Sequence, residues 1–510
     1  MALTSSHFDI VVVGSGIGGL TAAALLARAG KAVLVLEQHD RPGGYAHAFQ
    51  RKRYTFDAGV HITSGCGLQG YPGGQVLRRI LQAVQVYDQV EFIPINPFTH
   101  VSFPNLSLDL PVSIAAFKAT LIAHFPEHQH GLEHFLTLCY QVALEASDAT
   151  AQMASQNSTL IQQKLAHLLK YRQATLAEVF GDFIPEPRLQ SLLATHWPYL
   201  GLPPSKVSFV YWAIMLISYL EDGAYYCRGG FQKLAEALVQ GLLKHGGSIS
   251  YRQTVTKINV LDNQVQGVEL ANGQIIKASM VISNADARRT IFELVGTASF
   301  SKRYLARLER MQAALSIFVV YIGTDLVLTD DQTHHEAFYY HDFDHEQHYR
   351  HAVSGELSWL SITIPTLVDP SLAPSGRHIV MLTTLVDYDA RDWASTKAIF
   401  TEQMLNFADQ HLPGLKAHSL LIEAGSPLTL ERYTGNLKGS AYGWALSPEQ
   451  TGANRLSHCT PINGLFLSGH WTTPGGGIYG VSFSGMQIAQ HILGIPEQQA
   501  FWQQFAEVSP

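Results

Sequence analysis

The sequence predicts an α/β fold, a parallel-sheet nucleotide-binding domain interrupted by an inserted α+β domain. Three observations carry this. Residues Phe8 to Glu37 read as strand, glycine turn, helix, strand; a helix, a meander and a further strand follow between 229 and 286; and a strand, glycine-rich turn and helix close the chain at 464–493.

The first element, Phe8 to Val13, is a short apolar run rich in β-branched residues, as a buried strand requires. Gly14-Ser15-Gly16-Ile17-Gly18-Gly19 follows and opens the Ala/Leu-rich helix Leu20 to Ala29, which Gly30 ends. Gly14 makes the tight turn, Gly16 lets the backbone approach a pyrophosphate, and Gly19 lets helix and strand pack closely. The helix start offers free N–H groups to the phosphates. Ala32 to Leu36 is the second strand, and Glu37 stands at its tip, where a carboxylate accepts hydrogen bonds from both hydroxyls of an unphosphorylated ribose.

Further βα units, expected in a nicotinamide domain, do not follow. The chain runs instead through Arg41-Pro42-Gly43-Gly44 and the basic, hairpin-like Arg51-Lys52-Arg53 to Phe56-Asp57-Ala58-Gly59-Val60-His61, which favours FAD. Glu37, Gly43-Gly44 and Phe56-Asp57-x-Gly59 resemble the flavin-binding start of the phytoene desaturase, carotenoid isomerase and retinol saturase superfamily, and Val60-His61 is most similar to its retinol saturase branch. The resemblance implies a Rossmann-type FAD-binding domain of the glutathione-reductase kind with an inserted α+β substrate domain. It places the cofactor on Gly14, Gly16, Gly18, Gly19, Glu37, Gln38, Arg41, Gly43, Gly44, Gly59, Val255, Gly469, His470, Gly477 and Val481.

Composition bounds the rest. At 510 residues, 46% apolar and 15% charged, the chain is globular and large enough for two or three domain-sized units. A net charge of −7 gives no electrostatic footprint for nucleic acid. Cys66, Cys139, Cys227 and Cys459 are scattered without CxxC spacing, which fits free thiols in a reducing compartment rather than a disulfide framework or zinc site. The start, MALTSSHFD, lacks a basic n-region followed by an apolar h-region, so a cytoplasmic location is expected, with peripheral contact to a membrane surface.

After His61, GCGLQGYPGG reads as a long loop or as an active-site loop over the flavin. Helical spacing follows in Ile114 to His124 and Leu132 to Leu144, with strand-like Val101 to Leu110 before them. Val207 to Leu220 holds fourteen residues without a charge, fewer than the roughly 20 that span a bilayer. It reads as a buried core helix, or as the lining of a channel for a long apolar substrate, or as a face resting on a membrane. Gly229-Gly230 opens the helix to Leu243; strands follow at Ser248 to Tyr251, Thr254 to Val260, Val265 to Leu270 and Gln274 to Lys277, and then Met280 to Asp286. The resemblance implies that Gly229-Gly230 faces the isoalloxazine and that Val255 approaches the adenine. The FAD-binding domain is therefore expected from 1–75, 226–300 and 446–498, and the substrate domain from 76–225 and 301–445.

Strand-like runs at Leu315 to Ile322, Leu357 to Ile364 and His378 to Val386 predict a mixed sheet as the floor of the substrate domain. Between them, His341, His345, His348 and His351 have spacings of 4, 3 and 3, which align on one helical face and raise a metal site. A polar loop at a cavity mouth explains the same composition, and no metal ligand is assigned. Finally, Gly469-His470 stands where the resembled superfamily has Gly-Asp, so any role of that carboxylate is lost. Ser484-Gly485 and the stretch 432–444 match the isomerase and saturase side.

No nucleophile–base pair stands out, so the flavin carries the reaction. The resemblance implies a long apolar polyene in a tunnel ending at the flavin: oxidised flavin desaturates, and reduced flavin saturates or lets a cis bond rotate. His61 is the candidate proton donor or positioning group; a ring satisfied by a backbone carbonyl is its structural alternative. The leaning toward saturase and isomerase predicts reduced flavin and a product of unchanged mass. A polyene desaturase, an isoprenoid carrier of the escort-protein type without flavin, and a conventional nicotinamide dehydrogenase remain as alternatives. The electron donor or acceptor has no sequence signal.

Overall fold

The computed structural model describes residues 7–68, 70–71, 74–154, 158–328 and 334–505. The first sheet has seven strands. His7–Val13 lies at its centre, paired in parallel with Val33–Leu36 on one side and with Ile275–Ser283 on the other. Ser248–Ser250 extends it beyond Val33–Leu36, and Leu465–Leu467 pairs in parallel with the end of Ile275–Ser283. Ile10, Val11 and Val12 are inaccessible because helices cover one face and the meander side the other, which is why these strands carry no polar alternation. The meander strands Val255–Leu261 and Gln264–Leu270 are antiparallel, and the segments expected as separate strands at 274–277 and 280–286 form one continuous strand, Ile275–Ser283. The small residues Ala278 and Ser279 continue the ladder instead of breaking it.

Helix Ile17–Arg28 packs against Gly477–Leu493 and Gln232–Lys244. The first crossing is close enough that a Cβ on Gly485 would lie 2.3 Å from the Gly18 carbonyl oxygen, so only glycine fits.

The second sheet also has seven strands, in the order Ser419–Gly425, Ser316–Thr324, His378–Val386, Trp359–Thr363, Glu336–Tyr340, Thr99–Phe103 and Leu106–Leu110. All pairs are antiparallel except Glu336–Tyr340 with Thr99–Phe103, so the sheet is mixed. Residues 101–110, expected as one strand, form a hairpin, turned at Pro104-Asn105 with Asn105 at a φ of 59°. The histidine-rich stretch is likewise not a loop. Its first part is the strand Glu336–Tyr340, buried throughout, and its second the helix His345–Ser354, capped by Asp344. Two of the four histidines serve packing: His345 Nε2 meets the Ser191 carbonyl at 2.8 Å, and His348 meets Ser358 Oγ at 2.9 Å and the Asp342 carbonyl at 3.1 Å, whereas His341 lies before the helix and is exposed.

Helices Ile114–His124, Gln129–Ala154 and Phe209–Asp222 pack on one another. Among the described residues no helix is long and apolar enough to cross a membrane.

Candidate active site

A deep cleft opens where the two sheets meet. Its walls carry Gly14, Gly16 and Gly18 from the first turn, Gly43 and Gly44 from the second, and Gly469 and Gly477 from the last. Asn284, at the end of the strand Ile275–Ser283, is wedged between the first turn and the last. A Cβ on Gly16 would lie 2.6 Å from Asn284 Oδ1, and one on Gly469 would lie 2.6 Å from Asn284 Nδ2. Asn284 Oδ1 is buried in the cleft wall without a hydrogen-bond partner among the described residues, an acceptor open to a bound donor. Gly19 is not on the wall; its added Cβ would strike the Gly14 carbonyl oxygen at 2.7 Å, so it packs helix on strand.

Helices Ile17–Arg28 and Gly477–Leu493 both begin on this cleft. Neither has a side-chain cap, since Gly16 and Gly476 hold the capping positions, and neither has an acid in its first turn. Their free N–H groups and positive ends converge on one space, which favours an anion there.

At one end of the cleft stand Glu37, Gln38, Gln253 and Val255. Glu37 Oε2 accepts from Ser15 N at 2.7 Å and Ser15 Oγ at 2.6 Å, and Oε1 accepts from His39 N at 2.8 Å. Arg41 turns away from the cleft wall; its Nη1 donates to the Ala48 carbonyl at 2.9 Å and its Nε to Asp40 at 3.0 Å.

Midway lies His470, which takes the place of an acid. Burial pushes its imidazole down to about 3, with the nearby Arg455 charge acting in the same direction, so the ring is neutral at neutral pH. Arg455 is 2% exposed and donates to the carbonyls of Thr472, Trp444, Gln450 and His470. Its burial lowers it only to about 10, so it remains a cation and ties down the glycine-rich loop that leads into the second helix start. Arg455, a lone arginine in a loop, carries no local sequence signal, whereas Asn284 lies within Ser283-Asn284-Ala285-Asp286 at a strand end that the sequence does mark.

The other end is walled by Tyr45, Gly59, Val60, Ile317, Tyr442, Ile478 and Val481. Gly229-Gly230, expected there, packs instead against Asp57: a Cβ on Gly230 would be 2.8 Å from Asp57 Oδ1. Asp57 itself accepts from Tyr226 Oη at 2.6 Å and Phe231 N at 2.8 Å. His61 stands just behind Val60. It is bonded not to a backbone carbonyl but to a carboxylate, with Nε2 2.8 Å from Glu336 Oε1.

Beyond this end lies the helix Phe209–Asp222. Trp212, Ala213, Leu216 and Ile217 are fully packed, while Tyr211, Ile214, Met215 and Tyr219 keep partial exposure on the opposite face. Burial nevertheless pushes the Tyr211 hydroxyl up to about 12 and Tyr219 further. Tyr211 also packs near the last glycine turn, since a Cβ on Gly475 would lie 3.1 Å from its ring.

Glycine walls, two uncapped helix starts and an ordered carboxylate at one end fit the flavin, pyrophosphate and ribose of FAD. Comparison with known proteins agrees. Residues 17–493 match the flavin containing amine oxidoreductase family. The chain is 29% identical to prolycopene isomerase 1, chloroplastic, of an Oncidium hybrid cultivar, over 97% of this chain and 86% of that one. It is 28% identical to all-trans-retinol 13,14-reductase of Macaca fascicularis, over 90% and 82%. The crystal structure of an oxidoreductase from Methanosarcina mazei superimposes with a TM-score of 0.64 at 19% identity, covering 94% and 99%.

Proposed function

This chain belongs to the flavin containing amine oxidoreductase family, and on that premise we propose that it is an FAD-dependent enzyme converting a long apolar polyene with its flavin reduced. The observation that carries the substrate class is the largely apolar inner end of the cleft, walled by Val60, Ile317, Ile478 and Val481 with the rings of Tyr45 and Tyr442. The relatives named for prolycopene and all-trans-retinol support the same class.

In this reading, the bound flavin supplies hydride or electrons to the conjugated chain. The protein's own residues bind and position. Glu37 takes the ribose hydroxyls, with Gln38 and the Val255 backbone beside the adenosine. The N–H groups at the starts of Ile17–Arg28 and Gly477–Leu493, with Gly14, Gly16, Gly18, Gly43 and Gly44, take the pyrophosphate. Gly59, Gly469, His470 and Val481 border the ring and its side chain. Neutral His470 adds no charge there, and Arg455 supplies the positive potential behind it. Packed aromatics around the inner end exclude water from the reacting carbons.

We assign residues 1–75, 226–300 and 446–498 to FAD binding and 76–225 with 301–445 to the substrate. The two sheets support this division, the first drawing its strands from 7–36, 248–283 and 465–467, the second from 99–110 and 316–425. We also assign the protein to a membrane surface, where such substrates dissolve; carbonate washing is expected to release it, and extraction by detergent alone would contradict that.

The test of the reaction is to incubate the purified holoprotein with prolycopene and all-trans-retinol, once as isolated and once after anaerobic reduction with dithionite. Conversion only after reduction is expected. Turnover by oxidised flavin with loss of two hydrogens would make the protein a desaturase. A colourless protein that still binds the polyene would make it a carrier.

A further inference from the structure

The inner end of the cleft is backed by a buried group of ionisable side chains that FAD binding does not use. His61 Nε2 lies 2.8 Å from Glu336 Oε1, and the Tyr199 hydroxyl donates to the other carboxylate oxygen. The Glu336 side chain has no exposed surface, whereas the His61 ring keeps 12%. Three strands position the carboxylate: Glu336 begins the strand Glu336–Tyr340, between Thr99–Phe103 and Trp359–Thr363. His61 is fixed from behind by His335, whose Nε2 meets the His61 carbonyl at 3.0 Å.

A carboxylate so buried is costly unless paired with a cation, and His61 is the cation available. Burial alone would depress the imidazole, but the Glu336 charge and hydrogen bond outweigh it and raise His61, with Asp57 acting in the same direction. His335 does not oppose this, because burial holds it down to about 4 and therefore neutral. Tyr199, raised by burial and by Glu336, keeps its proton. Protonated in this pair, His61 bears two N–H groups, of which Nε2–H goes to Glu336. Its Nδ1 is buried and has no partner among the described residues. This buried N–H, without an acceptor among the described residues, stands one residue from Val60 in the cleft wall, and a buried donor calls for a partner.

We propose that His61 is the catalytic acid of a carbon–carbon double-bond reduction, with Glu336 and Tyr199 as positioning residues, and that the reaction of this chain on a polyene is saturation. The proposal rests on the polyene reading above. Cis–trans rotation needs no net proton, so a charged donor behind the cleft separates the two outcomes, and it replaces the unchanged-mass product expected from sequence. Bound FAD, reduced by an external two-electron donor, would supply a hydride. The π bond would break as that hydride bonds to one carbon, and the displaced electron pair would spread along the conjugated chain. That pair would form a C–H bond with the proton leaving His61 Nδ1. The external donor would have lost two electrons, the product would have gained two hydrogens, and His61 would regain its proton from solvent.

The experiment uses the holoprotein, dithionite as the donor, and all-trans-retinol and prolycopene as probes. Product from the wild type should be two hydrogens heavier. His61→Gln should bind FAD normally and form this product on the order of 100-fold more slowly, the lower end of general acid catalysis. Nitrogen-15 NMR of labelled histidines should find His61 charged at pH 7 in the wild type and neutral in Glu336→Gln. Should His61→Gln fail to fold, Glu336→Gln should form the saturated product as slowly, since its His61 is expected to be neutral. A neutral wild-type His61 overturns the proposal, as does an isomer of unchanged mass formed equally by wild type and His61→Gln, which leaves the polyene reading standing. No reaction with either probe in either flavin state overturns both.

Discussion

Ser15 holds Glu37 through two bonds to a single oxygen: the backbone N–H and the hydroxyl of Ser15 both donate to Glu37 Oε2, at 2.7 and 2.6 Å. With His39 N on Oε1, the carboxylate is fixed at the tip of the second strand before any ligand arrives. Such prior ordering removes rotamer entropy from the binding step. It also explains why serine suits the second position of the first glycine turn, where a larger side chain would displace the acid.

Glu37→Ala should therefore weaken FAD binding. A hydrogen bond to a charged group contributes roughly 1.5 to 3 kcal/mol, on the order of 10- to 100-fold in affinity. Ser15→Ala should have a smaller effect in the same direction, because the backbone N–H remains. Flavin retention through dialysis measures both, and a folded Glu37→Ala that keeps its full complement would remove Glu37 from the site.

Arg455→Met should release the loop from Gly469 to Gly476. The methionine fills similar space but leaves the Thr472 and His470 carbonyls without their donor, at a cost of about 1–3 kcal/mol for each buried group left unsatisfied. Urea denaturation should show an earlier midpoint, and FAD should be lost in parallel because this loop leads into the second helix start. An unchanged midpoint would mean that water replaces the guanidinium without loss.

How much of this was readable in advance depends on distance along the chain. Helix Ile114–His124 appears with the bounds its spacing indicated, and the turn at Gly14 to Gly19 lies against the cleft as its pattern required. These are local signals, encoded within a few residues. His61 and Glu336 are 275 positions apart, and the strand carrying Glu336 is buried on both faces, so it lacks the alternation that marks a strand. Its flanking histidines and aspartates made the stretch resemble a loop. The wedge formed by Asn284 was hidden for the same reason: its contacts are to Gly16 and Gly469, from the two ends of the chain.

Asp57 gives a pH dependence with a definite sign. Burial pushes its carboxyl up to about 6 from an ordinary 3.8, against the pull of Tyr226 and the Phe231 N–H. The folded state therefore binds this proton more tightly than the unfolded chain. Its contribution to stability is fully present below pH 3.8 and is lost as pH rises through about 6. Asp57→Asn keeps an acceptor for Phe231 N and has no charge to bury. Relative to wild type it should gain stability between pH 4 and 7, on the order of 3 kcal/mol at most. Parallel urea midpoints for the two proteins across that range would contradict the assignment.

The part-exposed face of Phe209–Asp222 makes the last prediction, since it separates substrate passage from cofactor binding. Met215 shares that face with Tyr211, Ile214 and Tyr219, and it is not part of the FAD cleft wall. Met215→Trp would crowd a proposed substrate path along this face without touching the groups that hold FAD. Accommodating an oversized side chain or displacing a substrate costs about 1–3 kcal/mol, so kcat/KM for a long polyene should fall on the order of 10-fold or more. Flavin content and the rate of reduction by dithionite should stay at wild-type values. A variant that turns over prolycopene as fast as wild type would show that the substrate enters by another route, and the partial exposure of Tyr211, Ile214 and Tyr219 would then need a different occupant.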